Sequence, residues 1–195
     1  MATKEDILEQ VVEEYLIHQG YFVQHNVKYK PSSDHPEFNS KTDSNHSDID
    51  VLAIHPAKSG FERVLAVSCK SWQYGFNPSV GIQEFEGKKT RGGRPAWKAF
   101  RELLIPKWSA AFSDTIVRMT GSEEFTHVTA VTKIRGETGG WENYSKFRTN
   151  LPKASFKILS FETMMDEIRS QLTNTLAGTE VGRLLQLFSA SGYLK

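Results

Sequence analysis

Apolar positions along the chain change period several times, and each change marks a new element. Between residues 5 and 19, Ile7, Leu8, Val11, Val12, Tyr15 and Leu16 recur at helical spacing, which predicts an amphipathic helix. Thr3 or Asp6 can cap it, and Gly20 stops it. A strand follows from Tyr21 to Tyr29. Residues 31–47 (PSSDHPEFNSKTDSNHS) hold few apolar side chains and read as a long polar loop. Two strands rich in β-branched and aliphatic residues then run from Ser47 to His55 and from Glu62 to Trp72, with a turn over 56–60 between them.

The second half is more helical. A helix is expected from Val80 to about Lys89, and one or two more from Ala96 to about Met119, broken at Pro106. Thr126 to Ile134 reads as a strand, Trp141 to Phe147 as a short helix and Phe156 to Leu159 as a last strand. Phe161 to Leu172 and Glu180 to about Ser189 are closing helices. This mixed order predicts one domain over 1–195: an α/β sheet covered by helices on both faces, with a helical elaboration over about 91–120.

Composition narrows the class only slightly. With 38% hydrophobic and 24% charged residues, the chain can bury a core and stay soluble. No apolar run reaches the roughly 18 residues of a membrane span, and the start of the chain lacks a signal-peptide core, so a cytoplasmic protein is expected. The single Cys69 agrees with a reducing compartment. Net charge is +1, which announces no polyanion, but seven basic residues fall between Lys88 and Lys107 with one acid, Glu102. Lys88, Lys89, Arg91, Arg94, Lys98 and Arg101 form a phosphate-seeking patch if they share a face, and a solvated surface run otherwise.

The chemistry lies in His46-Ser47-Asp48-Ile49-Asp50-Val51-Leu52-Ala53-Ile54 and Val64-Leu65-Ala66-Val67-Ser68-Cys69-Lys70-Ser71-Trp72. Side chains alternate faces along a strand, so Asp48 and Asp50 are expected beside Leu52 and Ile54, and Ser68 and Lys70 beside Val64, Ala66 and Trp72. Charges at the ends of apolar strands need partners or ligands. They serve either as an ion pair at the sheet rim or as a catalytic pair.

These two strands resemble the core of the PD-(D/E)xK, restriction-endonuclease-like nuclease superfamily, which places an Asp on one strand and an acid-x-Lys motif on the next. The resemblance implies a mixed central sheet flanked by helices. It assigns metal binding to Asp50 and water positioning to Lys70. Ser68 stands where the family usually has an acid, and serine is a poor sole ligand for a hard cation. Some members move that carboxylate to the following helix, which points to Glu84, fourteen residues after Lys70. Gln83 and Glu86 are its neighbours, with Glu86 about 200° away around the helix.

Val67 to Trp72 followed by Val80 to Gly87 is similar to the Mrr-like branch. So is the opening helix, whose Glu9, with Glu13 as alternative, would join the metal site. The resemblance spans residues 5–90. It implies a DNA endonuclease using Mg²⁺, with Mn²⁺ as substitute, leaving 5′-phosphate ends. Asp50, Glu84 and the Cys69 backbone carbonyl would hold one ion, and Asp48, Glu9 or Glu13 are the residues that would complete a site for a second. Gln83, Ser68 and Trp72 would lie near the site, and cutting both strands would call for a homodimer. Two alternatives stay open: a disabled nuclease fold that binds DNA without cutting it, which Ser68 favours, and a Holliday-junction or repair nuclease. The histidines at 18, 25, 35, 46, 55 and 127 have no metal-ligand spacing. His46 sits close enough to Asp50 to touch substrate, and Trp72 and Trp97 can stack on bases or join the core.

Overall fold

The computed structural model describes residues 6–87, 89–91, 94–173 and 175–193, with the side chains of Arg91 and Arg94 left aside. Helix α1 (Ile7–His18) starts where Asp6 accepts the Leu8 N–H at 2.8 Å. It ends before Gly20, whose φ of 82° suits glycine. Strand β1 (Phe22–Tyr29) leads into the polar segment, which is not all loop. It contains a helical turn, α2 (Ser40–Asp43), capped by Asn39. Strands β2 (Ser47–Ile54) and β3 (Val64–Lys70) follow, joined through a 3₁₀ turn at Gly60–Glu62.

Asn77 caps helix α3 (Pro78–Glu86), accepting the Val80 N–H at 3.1 Å. A short ribbon of β4 (Thr90–Arg91) and β5 (Arg94–Pro95) precedes a 3₁₀ turn, Ala96–Phe100, then α4 (Arg101–Leu104) and α5 (Pro106–Thr120). Pro106 therefore divides the helices where expected. After β6 (Phe125–Val131) the single short helix expected at 141–147 is split into α6 (Gly139–Glu142) and α7 (Ser145–Asn150). Strand β7 (Ala154–Ser160), α8 (Phe161–Gln171) and α9 (Glu180–Ala190) complete the chain.

The main sheet has the order β1-β2-β3-β6-β7. Its first three strands are antiparallel, and β6 and β7 join in parallel through helical crossovers. Helices cover both faces. On one side Leu8, Val11, Val12 and Leu16 of α1 pack with Met164 and Ile168 of α8 and Leu185 of α9 against Val51, Ala53, Val67 and Val128. On the other, an aromatic core of Phe76, Phe100, Trp108, Phe112, Trp141 and Phe147 packs against Leu52, Ala66 and Phe125. Strand β6 is buried along its whole length, as a central parallel strand covered on both faces should be. Among the described residues, no helix is long and apolar enough to cross a membrane.

Candidate functional site

β3 pairs with β2 only from Val64 opposite Ile54 to Val67 opposite Val51, then continues beside β6 as far as Lys70 opposite Val131. β2 instead stays with β1 to the end, at Ser47 opposite Tyr29. The sheet forks here, and Asp50 and Ser68, which would form the next opposed pair, stand on either side of the fork. The Cys69 N–H turns to Asp50 and donates to its Oδ2 at 2.6 Å. Such charge-assisted bonds are short and strong, so the carboxylate is pinned. The N–H and C=O of one strand residue project to the same side, so the Cys69 carbonyl also faces the fork.

Strand geometry marks Asp50 independently. Ile49 packs with Leu52, whereas Val51 and Ala53 belong to the opposite core, so simple alternation breaks at Asp50. Asn26, at the matching position of β1, has a φ of 53° and is skipped in the strand pairing. Asn tolerates this left-handed conformation better than most residues. The expectation that Asp48 shares the face of Asp50 and Leu52 is corrected by this break. Asp48 lies at the surface, 2.7 Å from the Lys28 ammonium.

Ser68 and Lys70 do lie on the face of Val64 and Ala66. Lys70 Nζ donates to Ser68 Oγ at 2.7 Å and stands 5.5 Å from the centre of the Phe100 ring, within cation–π range. Burial pushes the Asp50 carboxyl above its usual range. The Lys70 charge and the Cys69 N–H pull it back, while Asp48 and Glu102 add to the upward push. A cation placed in the fork would relieve that cost.

Glu102 is the residue that sequence reading missed, having counted only as the lone acid in a basic run. It is buried in α4, and its Oε1 lies 3.5 Å from Nε2 of His127 on β6, which is 0% exposed. Burial pushes the Glu102 carboxyl up, but His127 and the charge of Lys70 outweigh it and hold the group below its usual range. Lys70 thus lies within electrostatic reach of both Asp50 and Glu102. The available signal was His127 itself, since a histidine within a strand buried on both faces needs a polar partner.

Glu84 lines a cavity of about 280 Å³ with Trp72, Phe100, Lys98 and Arg101, so it shares a wall with the ring beside Lys70. Its helix is aimed by Gly75, where φ is 73° and an added Cβ would meet the Lys133 carbonyl oxygen at 2.6 Å. The neighbouring Phe76 N–H bonds that same oxygen at 2.7 Å. Gln83 and Glu86 are exposed, and Glu86 accepts from the Tyr144 hydroxyl at 3.3 Å. Glu9 sits in the first turn of α1, close to Cys69, whose thiol is pushed far up by burial first and then by the charges of Asp50 and Glu9. Asp6, hydrogen-bonded by Ser71 Oγ, ties the start of α1 to the end of β3. Glu13 instead contacts His25 at 3.2 Å.

Of the basic run, Lys88 lies outside the described residues, and only the backbone of Arg91 and Arg94 is described, in the ribbon. Lys89 and Lys98 are exposed. The Arg101 guanidinium stacks 4.6 Å from the centre of the Trp108 ring. Lys107 is structural, bonded to Asp43 at 2.7 Å and to the Glu37 carbonyl at 2.9 Å.

Among the described residues, no three His, Cys, Asp or Glu side chains are grouped to ligate an ion. The donors around the fork are nonetheless hard oxygens: the Asp50 carboxylate and the Cys69 carbonyl, with Glu9 and Glu84 on the flanking helices. Mg²⁺ commonly takes only one or two carboxylates, with water and substrate phosphate filling the rest of its shell, so this donor set suits it. No protein-family model, curated protein or solved structure matches the chain. The functional reading therefore rests on the fork, the charges around it and the motif that they form.

Proposed function

We propose that the chain is a metal-dependent DNA endonuclease with a restriction-endonuclease-like core. The observation that carries this reading is the fork: it sets a half-buried carboxylate, bonded by the Cys69 N–H, within electrostatic reach of Lys70 at the end of apolar strands, and the cavity that shares the Phe100 ring with Lys70 is lined by Lys98 and Arg101. An ion pair placed for stability would favour the charged form of Asp50, and here burial outweighs the lysine. Asp50 and the Cys69 carbonyl would hold the cation, with Glu84 or Glu9 completing the set. When bound, Mg²⁺ supplies Lewis-acid polarisation of a phosphoryl oxygen and lowers the pKa of a bound water. Lys70 orients the attacking water and balances negative charge that grows on the phosphate. Lys98 and Arg101 hold backbone phosphates and fix the register of the strand.

A second reading is favoured by the Lys70–Ser68 bond and the sparse ligand grouping: the same fold binding DNA without cutting it. Plasmid incubated with Mg²⁺, Mn²⁺ or EDTA separates the two. Metal-dependent cutting by the wild type, lost in Asp50→Ala and Lys70→Ala, is the expected result. Binding that ignores the metal, with intact plasmid throughout, would establish the disabled form. Glu84→Ala and Glu9→Ala, run alongside, identify the remaining ligand.

A further inference from the structure

Beside the Glu84 cavity lies a larger cleft, of about 790 Å³, between the α2 segment and the start of the helical elaboration. Lys41, Asn45, His46, Trp97, Lys98 and Arg101 are among its lining residues. Lys98 and Arg101 also line the Glu84 cavity, so the two hollows share a wall. We infer that this cleft receives a single unpaired nucleotide of the DNA substrate, its base against Trp97 and its phosphates on Lys41, Lys98 and Arg101. The inference rests on the nuclease reading for its biological sense, but its binding chemistry stands alone.

Charge in the cleft is one-sided. Its one carboxylate, Asp43, is spent on Lys107 at 2.7 Å, and the side chains of that pair are 3% and 15% exposed. Lys41 and Lys98 are exposed and have no ion-pair partner among the described residues. The Arg101 guanidinium lies 4.6 Å from the centre of the Trp108 ring, and its fork of donors suits a phosphate. The remaining lining suits a base better than a duplex backbone. Trp97 is half-buried and packs against the aromatic core while lining the cleft. Asn45 and His46, both exposed, offer donors and acceptors to a base edge. A duplex backbone needs a cationic ridge or groove. A hollow of this volume with tryptophan in its wall suits a base taken out of the stack.

The unpaired nucleotide could come from a single strand or from an extrahelical position in a duplex, and fluorescence anisotropy in EDTA separates them. The probes are a labelled 12-nucleotide single strand, the matching perfect duplex and the same duplex with one unpaired central nucleotide. Wild type should bind at least one unpaired probe about tenfold more tightly than the perfect duplex, the scale of one base–aromatic stack. Trp97→Ala should abolish that preference and leave affinity for the perfect duplex unchanged. Trp97→Phe, which keeps a ring against the core, should retain the preference and guard against misfolding. Equal binding of all three probes by wild type, or a preference that survives Trp97→Ala, overturns the inference. Metal-dependent cutting of perfect duplex without any preference would leave the nuclease standing and remove the nucleotide site. Preference without cutting would do the reverse.

Discussion

Asp50 sits where two demands conflict. Its position at the fork gives it one backbone donor and a lysine within electrostatic reach, yet burial still makes its charged form costly. Carboxyls in that condition are concentrated at functional sites, although structural charge networks also contain them. Asp50→Asn keeps an acceptor for the Cys69 N–H and removes the charge. It should therefore raise stability by about 1 kcal/mol at neutral pH, a gain of about 2–4 °C in Tm for a chain of this size, and abolish cleavage. Thermal denaturation decides the sign, because a lower Tm would make Asp50 a structural partner of Lys70. Asp50 and Lys70 were legible in the sequence because charges on apolar strands stand out. Glu102 and His127 were not. They lie twenty-five residues apart on α4 and β6, and only the folding of the helical elaboration onto the sheet brings them together.

The elements themselves follow hydrophobic period closely, and the departure that matters for the cleft has a polar cause. Segment 31–47 has little apolar content, the signature of a loop, but it is organised by polar contacts that periodicity does not register. Asn39 caps α2 through the Lys41 N–H, and the Asn39 N–H in turn donates to Asp43 at 2.8 Å. Asp43 then reaches Lys107 on α5 and anchors the segment that walls the cleft. Burial pushes the Asp43 carboxyl up, but Lys107, the Asn39 N–H and Thr42 together hold it below its usual value. A carboxyl depressed in the folded state adds stability that is complete above its unfolded value, 3.8, and is lost as pH falls through the lower folded value. Urea denaturation between about pH 2 and 6 should show wild type more stable than Asp43→Asn at the upper end. The difference should shrink toward the lower end. A difference that does not change with pH would mean that the Lys107 contact contributes nothing through charge.

At the scale of the whole molecule, two cores on opposite faces of one sheet leave only the strand ends free to carry chemistry. The mixed α/β architecture was legible because its strands differ in kind: β2 and β3 follow each other through a short turn, while β6 and β7 are reached through helices. What composition concealed is charge distribution. A net charge of +1 averages cations gathered around the two hollows, Lys41, Lys98 and Arg101, with acids elsewhere such as Glu162, Asp166 and Glu167 on α8. Binding of a polyanion depends on the local field and not on the sum, since charges beyond a Debye length of about 8–10 Å are screened. Each phosphate neutralised releases condensed counterions, so the slope of log affinity against log salt counts the cations in contact. Lys98, exposed and shared by both hollows, should be one of them. Duplex binding by Lys98→Ala, measured across a salt series in EDTA, should show a slope shallower than wild type by about 0.9, the value for one lost phosphate contact on B-DNA. An unchanged slope with weaker binding would place Lys98 on a base or a sugar, and unchanged binding altogether would move the DNA path away from the fork.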